Sequence, residues 1–294
     1  MTGFRQLTVL ATGDQAELLE ELFFLAAAKA VTLVDDGNSP IFEPPMGTHP
    51  VWPQTQLQGL FYDQRPDAEI LADLATYFQR ANILIELPKE LIPLADQDWV
   101  KVSLDQFKPF KIGRFWVKPS WNDEPASQDL TILNLDPGLA FGTGMHPTTQ
   151  LCLEWLSANP PSSQTVMDFG CGSGILAVAA GCLGASQITG LDIDPQALIA
   201  TKHNARLNHL VIKTLLPDQI PSHTFDVVVA NILANPLIEL ASSLSELTRP
   251  GGKIVMAGLL DEQARQVKAA YPAITFDIDQ SREGWTLLSG TKTE

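Results

Sequence analysis

The stretch that most constrains this chain spans 166–194 and reads VMDFGCGSGILAVAAGCLGASQITGLDID. It predicts a buried strand over 166–169, a glycine-rich turn, a helix over 175–183, a second strand over 187–191, and an acid, Asp192, at that strand's end. Gly170, Gly172 and Gly174 carry no Cβ, so a ligand can approach the backbone of the turn. Gly184 suits the position just past a helix end. A carboxylate about 20 residues beyond such a turn is where nucleoside-binding α/β folds hold ribose. The spacing is GxGxG, with Ile175 where the dinucleotide fingerprint has its third glycine, and Asp168 stands in front of the turn. That arrangement suits a ligand with an amine and a ribose but no pyrophosphate.

At 294 residues the chain has room for one large domain or two modest ones. No stretch is apolar enough to span a bilayer, and the opening MTGFRQLTV lacks the shape of a signal peptide. Cys152, Cys171 and Cys182 have neither paired nor metal-like spacing, which predicts small buried thiols in a reducing cytoplasm and no metal site. The formal net charge is -15. Such a surface repels the phosphate backbones of nucleic acids and draws in basic proteins, and it serves solubility equally well.

The first ninety residues follow a different pattern. A strand over 6–11, a helix over 14–28 capped by Asp14, and strands over 30–34 and 56–62 come first. A helix from Asp67 to about 78, capped by Asp67, and a strand over 83–87 complete the order βαββαβ, the split-βαβ pattern of ferredoxin-like folds. This region has no glycine cradle and no metal spacing, so it reads as a binding platform or a packing module. Periodicity then fades over 89–110, where Pro93 and Pro109 punctuate a linker that Trp99 and Phe107 can pin. A strand over 111–117 leads onward.

The segment 134–149, NLDPGLAFGTGMHPTT, places Gly142 and Gly144 around Thr143, followed by His146, Thr148 and Thr149. A helix starting at the threonines would present free N–H groups and hydroxyls able to hold a carboxylate. His146 suits a structural role as readily as a place in the ligand wall. Past Asp194, Pro195 occupies a favoured first helical position for a helix over 195–208. His203, His209 and His223 show no ligand spacing and read as surface residues. The apolar run over 225–230 is that of a central parallel strand, and it ends at Asn231. That asparagine either faces the crevice where α/β sheets bind ligands or caps the next helix, which runs to about 247. A strand over 253–257, a helix over 261–270 and strands over 274–278 and 285–291 close the chain.

Together VWPQTQLQGLFYD, FWVKPSW, DPGLAFGTGMHPTT, DFGCGSGILA, GLDIDPQA, FDVVVANILANPL and REGW resemble the bacterial ribosomal protein L-eleven methyltransferase family over nearly the whole chain. The resemblance implies an α/β architecture in which a ferredoxin-like domain at 1–88 recognises the ribosomal protein. After the linker at 89–110, a seven-stranded, Rossmann-like class I methyltransferase domain at 111–294 binds S-adenosyl-L-methionine. It further implies cofactor contacts at Thr149, Gly170, Asp192 and Asn231, and beside them Phe141, Thr148, Asp168, Gly172 and His146 complete the candidate site. Asn231 is also the candidate catalytic residue, orienting the acceptor nitrogen. The implied reaction moves methyl groups to lysine side-chain and N-terminal amines of the ribosomal protein in the cytoplasm; the acidic charge further suggests that this protein is met free, without nucleic-acid or membrane contact. Two positions depart from the pattern: Met145 stands where the family often has Thr, and Ala27 about where a Gly ends the first helix. A methyltransferase acting on another amine, and a catalytically silent cofactor-binding protein, remain the alternatives.

Overall fold

The computed structural model describes residues 3–37, 51–94, 108–125, 129–136 and 144–293. The chain divides into two compact units, Met1–Lys101 and Val102–Glu294. Phe141, the flanking Gly142 and Thr143, and the proposed anchors Trp99 and Phe107 lie outside the described residues.

In the first unit, β1 (Phe4–Thr12), α1 (Ala16–Leu25), β2 (Ala30–Asp35), β3 (Gln54–Tyr62), α2 (Asp67–Arg80) and β4 (Ile92–Leu94) follow in order. The sheet order is β2-β3-β1-β4 with every pair antiparallel, the ferredoxin-like arrangement. Alternation along β1 and β3 sends Leu7, Val9, Leu57 and Phe61 against Leu19 and Phe23 of α1 and Ile70, Leu74 and Phe78 of α2.

Three expectations change here. Asp14 does not cap α1; the chain enters through a short 3-10 turn, Gly13–Gln15, with Thr12 as its N-cap. Asp67 lies inside α2, after Pro66, and its carboxylate instead accepts the Leu91 N–H at 3.0 Å and pairs with Arg5. That anchorage brings Ile92–Leu94, not the stretch 83–87, to the free edge of β1. Pro93 is tolerated because an edge strand need not donate there. Three residues of the expected linker therefore belong to this sheet.

The end of α1 explains the departure at Ala27. Ala28 N–H reaches Phe23 O and Ala27 N–H reaches Phe24 O, each at 2.9 Å, the bonding of a Schellman turn. Ala27 accordingly sits at φ 67°, a left-handed conformation costing a residue with a Cβ about 1–2 kcal/mol. The first unit tolerates a strained turn where glycine would fit without strain.

The second unit opens with a small sheet. β5 (Phe110–Ile112) and β6 (Phe115–Lys118) form a hairpin turning at Gly113, which corrects the single strand expected over 111–117, and β7 (Thr131–Asn134) joins β6 in parallel. α3 (Pro147–Ala158) precedes β8 (Thr165–Phe169), α4 (Ile175–Cys182), β9 (Gln187–Leu191), α5 (Pro195–Leu207) and β10 (Lys213–Leu215). There follow β11 (Phe225–Asn231), α6 (Ala234–Glu239), α7 (Ala241–Leu247), β12 (Thr248–Leu260), α8 (Ala264–Ala269), β13 (Ile274–Arg282) and β14 (Trp285–Lys292). The helix expected to run from 261 begins as a 3-10 turn, and the one expected up to 247 is split in two.

The main sheet has seven strands in the order β10-β9-β8-β11-β12-β14-β13. Strands β10 to β12 pair in parallel, and β14 joins β12 and β13 antiparallel. β11 shows why its apolar run is continuous. Val227 and Val229 pack into the core with α4, while Val228 and Ala230 pack into the opposite core with α6 and α7. Helices thus cover both faces. The chain leaves β8 towards β9 on one side and returns to β11 on the other, so a crevice opens at the carboxyl ends of β8 and β11. No helix among the described residues is long and apolar enough to cross a membrane.

Candidate active site

A cavity of about 950 Å³ occupies that crevice. Gly170, Cys171, Gly172 and Ser173 from the β8–α4 turn, Asp192 and Ile193 beyond β9, and Asn231, Ile232 and Leu233 beyond β11 line it. His146, Thr148 and Thr149 at the start of α3, and Gly258 and Trp285 from the antiparallel side, close it. A second depression of about 590 Å³ borders Pro250, Gly251 and Lys292, where the lysine ammonium is occupied by the carbonyls of Ser245 and Thr248.

The turn is shaped by positive φ at all three glycines: 75° at Gly170, 53° at Gly172 and 81° at Gly174. At Gly170 a Cβ would also lie 2.4 Å from Ile232 Cγ2. Only glycine keeps this approach open. The Gly170 and Cys171 N–H groups fold back onto Leu191 O at 2.7 and 3.0 Å, which ties the turn to the end of β9.

Asp192 completes the tie. Its Oδ2 accepts the Gly172 N–H at 2.9 Å and its Oδ1 accepts the Asp194 N–H at 3.0 Å. Each carboxylate oxygen has a second acceptor site. A side chain placed so at the cavity wall can accept two more donors, as a ribose diol offers.

Asp168 takes a different place from the one its motif suggests. It is 1% exposed and is not part of the cavity lining. α4 has Gly174 at its N-cap, which supplies no side-chain acceptor, and Asp168 Oδ2 accepts the Ala177 N–H at 2.9 Å in its stead. It thus caps the helix from the neighbouring strand, beneath the turn. Its Oδ1 is buried without a hydrogen-bond partner. Burial pushes its carboxyl up to about 7, opposed by the Ala177 N–H and reinforced by the charge of Asp192.

This shift has a sign. Between the ordinary carboxylate range and about pH 7 the folded state holds a proton that the unfolded state has released, so stability falls as pH rises through that window. Asp168→Asn removes the titration while keeping an oxygen for Ala177. The ligand-free Asp168→Asn variant should therefore lack the decline in melting temperature that this carboxyl is expected to give the unsubstituted chain between the ordinary carboxylate range and about pH 7. Parallel melting curves for the two proteins would refute this.

Helix α3 begins at Pro147, so the cap is His146 rather than the threonines. His146 Nδ1 accepts the Thr148 N–H at 3.3 Å and lies 2.8 Å from the Thr148 hydroxyl. With Nδ1 accepting, the ring hydrogen sits on Nε2, so the histidine offers the cavity a donor rather than a base. Desolvation lowers its pKa against the raising effect of Glu283, keeping it neutral at neutral pH. Thr149 and Asn231 meet across the cavity floor: Asn231 Nδ2 donates to Thr149 Oγ1 at 3.2 Å. Asn231 does not cap α6, whose N-cap is Leu233. With its amide hydrogens turned to Thr149, its Oδ1 is available to a donor such as an amine.

The structure thus brings Thr148, Thr149, Gly170, Gly172, Asp192, Asn231 and His146 together at one cavity, and it moves Asp168, expected among the cofactor contacts, beneath them. The sequence reading also left out two lining residues, Gly258 and Trp285. Gly258 sits at φ 91°, and a Cβ there would lie 2.3 Å from Ile232 O. Trp285 meets His146 edge-on, with ring centroids 4.8 Å apart. The signal for Trp285 was present in EGW: a Glu-Gly pair between two apolar strands marks a tight hairpin, which puts the tryptophan at the sheet's end. Among the described residues no group of His, Cys, Asp and Glu side chains could hold a metal ion.

Comparison with known proteins gives the family. The family described as "Ribosomal protein L11 methyltransferase (PrmA)" matches residues 3–293. Proteins named ribosomal protein L11 methyltransferase are similar along the whole chain. The one from Pseudomonas aeruginosa is 45% identical over 294 residues, with 98% of each chain covered. The one from Marinobacter nauticus is 45% identical over 296 residues, again with 98% of each covered. A crystal structure described as a ribosomal protein L11 methylase from Lactobacillus delbrueckii subsp. bulgaricus superimposes with a TM-score of 0.55 at 33% identity. It covers 62% of this chain and 96% of that one.

Proposed function

The chain belongs to the ribosomal protein L11 methyltransferase family, and from that premise we propose that the cavity transfers methyl groups from S-adenosyl-L-methionine to amines of ribosomal protein L11. The observation that carries this reading is the pairing of a glycine cradle tied to Asp192 with an Asn231 side chain fixed by Thr149. The residues present fit the cofactor. Asp192 keeps acceptor capacity for two hydroxyls, the Gly170 turn admits close approach, and Thr148 and Thr149 at the start of α3 suit a carboxylate.

When bound, S-adenosyl-L-methionine supplies an electrophilic methyl group on a sulfonium sulfur. The chain's own part is to present an amine in its neutral form. A lysine of ordinary pKa about 10.4 costs roughly 4.6 kcal/mol to deprotonate at pH 7, and an α-amino group near 7.8 about 1 kcal/mol. Ile232, Leu233, Pro236, Leu240 and Trp285 line the side beyond Asn231. Such an apolar wall disfavours the ammonium and lowers that cost. Asn231 Oδ1 then accepts an N–H of the neutral amine and aims its lone pair. His146 takes no proton in this scheme, because its Nδ1 is occupied by Thr148. Positioning and desolvation carry the catalysis.

On this reading the first unit, Met1–Lys101, serves substrate recognition and the second, Val102–Glu294, serves chemistry. Lysine side chains and the N-terminal amine are the acceptors, and the protein acts in the cytoplasm on free L11. The charge of -15 supports the last point, since it favours a basic protein and opposes ribosomal RNA. Initial rates on free L11 should exceed those on assembled large subunits at low salt. They should converge as salt shortens the reach of these charges to about 8 Å at physiological strength. Equal rates at low salt would show that L11 is also taken from the ribosome.

A further inference from the structure

We infer that Glu283 captures the cationic acceptor amine at the mouth of the cavity, making it a specificity-determining residue; the inference rests on the methyltransferase reading above. β13 and β14 are joined by the two-residue turn Glu283-Gly284, with φ 54° and 82°. Both values are positive, as in a type I′ turn, whose first position favours Asn, Asp or Gly over a long side chain. The residue is exposed, and the Glu283 carboxylate makes no hydrogen bond and no ion pair among the described residues. A residue the turn disfavours, whose carboxylate makes no hydrogen bond or ion pair among the described residues, points to a role outside the fold.

The turn is held in place from both sides. Arg282 Nη2 reaches both carboxylate oxygens of Glu154, at 2.9 and 3.0 Å, and its Nη1 donates to Gln150 at 2.8 Å, which fastens the hairpin to α3. Asp261 accepts the Ser281 hydroxyl at 2.8 Å and the Thr286 hydroxyl at 2.5 Å, and its N–H donates to Gly284 O at 3.0 Å. These anchors fix Glu283 two residues before Trp285, which lines the cavity and meets His146. The charge of Glu283 is felt by that histidine at the rim.

The cavity itself supplies the complement. Asp192 is the sole carboxylate among its described lining residues, and it stands at the β9 side. Among the described residues, the side walled by Ile232, Leu233 and Trp285 offers an incoming ammonium no negative charge inside. Glu283 provides one outside. The cation is gathered at the mouth and sheds its proton to solvent before the neutral amine passes inward.

The test uses the full chain with free L11 and S-adenosyl-L-methionine. Glu283→Gln should raise KM for L11 by about two- to fivefold at low salt, the range for a partly exposed ion pair, with the effect on KM rather than kcat. Glu283→Lys replaces attraction by repulsion and should raise KM by about the square of that factor, roughly 4- to 25-fold, and added salt should erase both effects. Glu283→Asn separates function from structure: it suits the turn better and should raise the melting temperature while raising KM as Gln does. A KM common to all four proteins at low salt, or one that follows melting temperature rather than charge, would overturn the inference. Absence of turnover in the unsubstituted chain would overturn the methyltransferase reading as well, so the two failures are distinguishable.

Discussion

Asp192→Asn is expected to weaken S-adenosyl-L-methionine binding by about ten- to a hundredfold. The carboxylate has two tasks. It accepts backbone N–H groups from Gly172 and Asp194, which shapes the cradle, and it keeps acceptor sites for a ligand's hydroxyls. An asparagine has one oxygen. Whichever N–H it retains, its own NH₂ then faces the other N–H, donor against donor, and one hydroxyl loses a charge-assisted partner. Calorimetric titration of the purified variant measures the effect directly. An unchanged Kd would mean that the hydroxyls are held elsewhere in the cavity.

A chain beginning at Val102 is expected to bind S-adenosyl-L-methionine yet lose methylation of intact L11. The two units bury separate cores. Leu7, Leu19, Phe23, Leu57, Ile70 and Leu74 cluster in the first, while among the described residues the clusters flanking the seven-stranded sheet draw on residues from Phe110 onward. A unit with its own core is able to fold alone. The described lining of the cavity belongs wholly to the second unit. Removing the first should therefore leave the cofactor's Kd near that of the full chain while turnover on L11 falls to background. Normal turnover by the shortened chain would show that recognition also resides in the second unit.

The central sheet was legible because β8, β9 and β11 are short, largely apolar stretches between turn residues, unbroken over Val227, Val228, Val229 and Ala230 in β11, and they fall where such stretches predict. The cradle was legible for a related reason: three alternate glycines have few uses other than positive φ. Legibility failed where a local signal was read without its tertiary partner. Pro93 argued against a strand, yet the Asp67 carboxylate draws its neighbour Leu91 to the edge of β1. Asp14 and Asp67 looked like caps because carboxylates favour that place, while Thr12 and a proline took it. Asp168 stood in the expected motif, but strand alternation turns it into the core with α4, where it serves the helix and not the cavity wall. Strands of three or four residues, β7 and β10, carry too little pattern to be seen alone. Trp285 was hidden by distance along the chain: only the antiparallel return of β14 places it opposite Asn231's strand end.

The central claim is that this cavity moves methyl groups onto amines of L11. It is tested most directly by the intact and fragment masses of purified L11 after incubation with the full chain and S-adenosyl-L-methionine. Mass added in whole methyl increments is expected, located on lysine side chains and the N-terminal amine, and absent when Asp192→Ala replaces the unsubstituted chain. L11 of unaltered mass, from a chain that calorimetry shows to be loaded with cofactor, would contradict the account.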